Sequence, residues 1–75
     1  MECPICLGPA RFVAAPAFDG RRITCARCGT YDVSRVVLER RLLERIDVGK
    51  RHDVLQRARH NAADTTRPLI TTYLL

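Results

Sequence analysis

The chain has 75 residues and a mass of 8.5 kDa, enough for one domain with a small core. Folding a chain this short hides only about 60% of the surface its unfolded form exposes, so an unaided core is marginal. Apolar residues make up 47%, but two Phe, two Tyr and no Trp argue against a large enzyme core or a deep ligand pocket, and a formal charge of +5 suggests an anionic partner.

No run of about 18 apolar residues occurs, so no membrane span is expected. The start, Met1-Glu2-Cys3-Pro4-Ile5-Cys6, has neither a basic n-region nor an apolar h-region. The expected location is therefore cytoplasmic, where thiols stay reduced and structural disulfides are rare.

In chain order, the first feature is the pair Cys3 and Cys6, a C-x2-C; its counterpart is Cys25 and Cys28, with eighteen residues between the pairs. That spacing is typical of a zinc site, because each C-x2-C turn aims two sulfurs at one point and two turns complete a tetrahedron. Pro4 pre-sets φ in the first turn, and Gly29 after Cys28 suits a positive φ that swings backbone amides toward sulfur. Gly8 offers a looser version of this after Cys6. Two disulfides, a thioredoxin-like redox pair and a mononuclear iron centre compete with zinc. The first needs an oxidising compartment, the second a βαβ setting, and the third is disfavoured by the scarcity of shielding aromatics. Four protein ligands leave no open position, so one structural Zn2+ is expected and catalysis is not. It would lower the formal charge from +5 to about +3.

Between the pairs, residues 11–14 and 21–24 look like short strands joined by an Asp19-Gly20 hairpin turn, and residues 30–33 alternate as a third strand. Ser34 is placed to cap a helix over 35–46 whose stripe is Val36, Leu38, Leu42, Leu43 and Ile46; Val37 breaks that pattern and is expected to pack on the sheet. Asp47 is the expected cap of a second helix, with Lys50 to Ala63 presenting Val54, Leu55, Ala58 and Ala62 to the first as an αα-hairpin. Residues 64–68 stop it, and residues 69–75 form an apolar tail, either an added strand or a cover for the helices. The fold class is thus small α+β: a three-stranded antiparallel sheet with two cysteine knuckles over 1–34, two helices over 35–67, and a tail over 68–75.

Twelve of the thirteen basic residues are Arg, whose planar fork suits phosphate and carboxylate. Arg21 and Arg22 beside the hairpin and Arg27 in the second knuckle are expected to converge on one end of the ribbon and contact phosphates, with Tyr31 either stacking on a base or plugging the core. Arg40, Arg41 and Arg45 form a second basic strip, of which Arg41 and Arg45 would support binding. His52 and His60 are eight residues apart, too far for a metal pair, and are expected at the surface.

The run Cys3-Pro-Ile-Cys6, then Asp19-Gly20, then Cys25-Ala-Arg-Cys28-Gly29-Thr-Tyr31-Asp-Val33-Ser34, resembles four-cysteine zinc ribbons of the C-P-x-C / C-x-x-C-G type. More narrowly, it is similar to N-terminal ribbon-plus-helices modules of uncharacterised bacterial and phage proteins, through residues 55–59 and 65–71. Leu7 departs from the Gly that often follows the second ligand, and Asp64 from a helix-ending Gly. Such a ribbon usually precedes another domain, so the chain is expected to be a stand-alone module or a piece of a longer protein. The resemblance implies a non-catalytic binding role. Nucleic acid is the first expected partner; the alternative is an adaptor or small inhibitor docking on an acidic protein surface, with self-association through the tail also open.

Overall fold

A computed structural model describes residues 1–14, 19–62 and 67–75. Three antiparallel strands, β1 (Ala10–Ala14), β2 (Gly20–Cys25) and β3 (Gly29–Ser34), lead into a short helix α1 (Arg35–Glu39) and a 3-10 turn (Leu43–Arg45). The main helix α2 (Val48–Asn61) follows, then a two-residue strand β4 (Leu69–Ile70) and a 3-10 turn (Thr72–Leu74).

The sheet is four-stranded and mixed, in the order β1-β2-β3-β4, not the three antiparallel strands expected. The extra strand is the tail: Ile70 pairs with Val33 in a parallel register, and the Asp32 amide donates to the Pro68 carbonyl at 2.8 Å. Burial drives this addition, because Ile70 is fully covered while Leu69, pointing to the opposite face, is exposed. Gly20 is also placed differently, since it pairs with Ser34 inside β2 instead of forming a two-residue turn with Asp19.

Alternation puts Phe12, Ile23, Tyr31 and Val33 on one face of the sheet, where Ile5, Val37, Leu43, Val54, Leu55 and Ala58 complete the core. Arg11, Val13, Thr24 and Thr30 lie on the other face.

The helix expected over 35–46 stops at Glu39. Leu42 N–H donates to the Val37 carbonyl and Arg41 N–H to that of Leu38, a Schellman motif with Arg41 in the left-handed region at φ 52. The reversal lets Val37 and Leu43 both reach the core, so Val37 is buried and Val36, the expected stripe residue, is 44% exposed. The αα-hairpin does not form: α1 packs on β2 and β3, whereas α2 packs on β4 and the C-terminal turn. Ser34 precedes α1 without a side-chain cap, but Asp47 caps α2 by accepting from the Lys50 amide at 2.9 Å. The helix end expected at Ala63 and the stop signal at Asp64, Thr65 and Thr66 lie outside the described residues.

Candidate metal centre

The four cysteine sulfurs lie within 4.8 Å of one another. Cys3 Sγ is 3.8 Å from Cys28 Sγ, and Cys6 Sγ is 3.5 Å from Cys25 Sγ. A zinc tetrathiolate with Zn–S bonds of about 2.3 Å has tetrahedral edges of about 3.8 Å, so the donor set fits that ion. A disulfide needs about 2.05 Å, and all four cysteines are free.

Local backbone builds the two turns in parallel fashion. Cys3 N–H donates to the Gly8 carbonyl at 2.7 Å and Leu7 N–H to the Cys3 carbonyl at 2.9 Å, closing the first. The residue after the second cysteine is left-handed in both turns, Gly29 at φ 78 and Leu7 at φ 65. Glycine takes that conformation without strain; leucine does not. Gly8 sits against Cys6 Sγ, where an added Cβ would come within 3.4 Å.

The four thiols sit in different electrostatic surroundings. Burial pushes Cys25 up, but amides of Cys28 and Arg27 and the neighbouring sulfurs outweigh it and bring the thiol down to about 7. Burial and the sulfurs of Cys6 and Cys3 raise Cys28. The Gly8 amide favours the Cys6 thiolate, yet desolvation and the Cys25 sulfur leave that group raised overall. Tyr31 approaches Cys3 Sγ at 3.0 Å, and burial followed by this bond pushes its phenol far up, so it keeps its proton.

Helix α2 holds both turns through arginines that the sequence pattern did not single out. Arg51 is buried and donates to the Ile46 carbonyl at 3.0 Å and the Pro4 carbonyl at 3.4 Å. Arg59 donates to the Cys28 carbonyl. Arg51 lies on the same stripe as Val54, Leu55 and Ala58, so helical periodicity was the available signal; nothing in the sequence marks Arg59.

The arginines expected to converge at one end of the ribbon are not brought together. Arg21 and Arg22 begin β2 and Arg27 lies beyond its end, five or six residues away at about 3.3 Å each, so the three do not converge. Arg22 is engaged by Asp32, with Nε–Oδ1 at 3.0 Å. Tyr31 is fully buried and presents no ring face to a base. Arg21 and Arg41 both line a cavity of about 360 Å³, with Phe12, Leu38, Glu2 and Glu44. Arg27, Arg45, His52 and His60 are exposed.

Among the described residues, no helix is long and apolar enough to cross a membrane. No family model matches the chain, and neither a curated protein nor a solved structure matches it.

Proposed function

We propose that this chain is a non-catalytic module of the four-cysteine zinc-ribbon kind, in which Cys3, Cys6, Cys25 and Cys28 hold one structural Zn2+ and an arginine surface binds nucleic acid. The convergence of four sulfurs from two distant turns carries the metal assignment. Zn2+ suits four thiolates, and the closed tetrahedron leaves no position for a water or substrate, so the ion's contribution is to folding. An apparent binding free energy of about 10–16 kcal/mol offsets the smallness of the core.

Support for the nucleic-acid role is the formal charge of +5 and the dominance of arginine. Elemental analysis of the purified protein tests the metal, with one zinc per chain expected; iron at that ratio would overturn the choice of ion, and no metal would overturn the centre. Anisotropy of labelled oligonucleotides at low salt tests the partner.

A second reading, an adaptor docking on a larger protein complex, is favoured by Tyr73, which is 96% exposed in the C-terminal turn. Capture of one defined protein partner that is lost on Tyr73→Ala, with zinc retained, would select it.

A further inference from the structure

We infer that phosphates are taken by the exposed stripe of α2 together with the second cysteine turn, and not by the hairpin arginines; this rests on the nucleic-acid reading above. His52, Gln56, Arg59 and His60 fall within an arc of about 100° on the helix, beside the buried stripe. Two shallow grooves run along them. One is lined by Cys6, Arg27, Cys28, His52, Gln56 and Arg59, the other by Gln56, Arg57, Arg59, His60 and Asn61. Sharing Gln56 and Arg59, they form one continuous track. From His52 to His60 the helix rises about 12 Å, long enough to meet more than one phosphate of a strand.

Charge decides between this track and its rival. No carboxylate lines either groove; Asp53 shares the next groove with Arg57, but among the described residues no carboxylate lies within ion-pair distance of Arg27, Arg57 or Arg59. Around the sheet and α1 the acids pair with arginines. Arg22 pairs with Asp32, Arg35 with Asp19 and Glu39, and Arg41 with Glu44, while Glu2 also lines the Arg21–Arg41 cavity. Arg22, Arg35 and Arg41 thus already have carboxylate partners, whereas a polyanion on the α2 track meets guanidinium groups outside any ion pair, flanked by Gln and His side chains that can hydrogen-bond to it. A zinc tetrathiolate carries two negative charges and lies beneath the Cys6 end, which weights the track toward Arg57 and His60.

The test uses the full chain with zinc content verified, and short labelled single-stranded and duplex oligonucleotides titrated at several salt concentrations. Arg57→Glu/His60→Glu should weaken binding by about tenfold or more and make the log–log salt dependence shallower by about one. Arg27→Glu/Gln56→Glu provides a second pair of changes, at side chains with no hydrogen bond or ion pair among the described residues, should the first variant lose zinc. Arg21→Glu/Arg41→Gln, which removes the same net charge as each α2 variant, should lose less affinity than either of them. If both α2 variants bind like the parent, or the Arg21/Arg41 variant is the weaker one, the track is wrong while nucleic-acid binding stands. If the parent binds neither probe at low salt, the nucleic-acid reading fails and the track with it.

Discussion

The phenol oxygen of Tyr31 lies 3.0 Å from the Sγ of Cys3, and both side chains are fully buried. With Cys3 as a thiolate the phenol donates to a charged acceptor that water does not reach, a bond worth about 1.5–3 kcal/mol. Tyr31→Phe keeps the ring in the core and removes only that donor. Zinc competition with a chelator should show affinity falling about tenfold or more, while the circular dichroism of the loaded protein stays the same. Unchanged affinity would mean that the hydroxyl contributes nothing to the centre.

Arg22 and Asp32 form the partly buried ion pair of the sheet, with Asp32 only 7% exposed. Arg22→Ala strands that carboxylate and should lower unfolding free energy by about 1–3 kcal/mol in denaturant titrations. Its effect on oligonucleotide binding by the folded protein should be small, because the guanidinium is committed within the sheet.

The metal centre was legible because four cysteines at C-x2-C spacing report a shared geometric demand that does not depend on what surrounds it. The three antiparallel strands were legible for a similar local reason, their alternation and flanking cysteines. What sequence did not reveal was set by tertiary burial. Val37 packs on the sheet as expected, but Val36, expected in the buried stripe, is turned outward because α1 packs on β2 and β3 through Val37. Arg41 gives no helix-ending signal, yet the chain reverses there because Leu43 gains a place in the core. The parallel pairing of β4 joins residues far apart in the chain, and a two-residue strand has no periodicity to read.

Leu7 and Arg41 are, among the described residues, the non-glycine positions with positive φ, at 65 and 52. An L residue in that region costs about 1–2 kcal/mol, partly offset in a glycine variant by the greater freedom of its unfolded chain. Leu7→Gly and Arg41→Gly should each raise unfolding free energy by about 0.5–1 kcal/mol, and Leu7→Gly should also tighten zinc binding. Destabilisation by Leu7→Gly would show that its half-exposed side chain matters more than its backbone.

Ile70 is fully buried although it belongs to the short tail that follows α2. Ile70→Ala removes apolar volume from the centre of a small core and should cost about 2–4 kcal/mol, against less than about 0.5 for Leu69→Ala on the open face. Thermal unfolding of the two variants checks the contrast. Equal effects would sink the parallel strand and return the tail to the role of a loose segment.

Metal removal should unfold the module, since the four sulfurs that tie the first cysteine turn to the β2–β3 turn would no longer share an ion. The dependence on pH follows from proton counting. The metal-bound state carries four thiolates, whereas the free state is unfolded and its thiols take up protons below their ordinary pKa of about 8.5. The free state therefore binds more protons, and lowering pH favours it. In the unfolded chain all four thiols have ordinary acidity, so affinity should fall steadily as the pH drops below about 8.5. Zinc release followed with a colorimetric chelator across this range, together with far-ultraviolet circular dichroism, should show metal loss and unfolding as one transition. Loss of zinc with the sheet signal intact would mean that the core folds without its ion and that the centre serves another purpose.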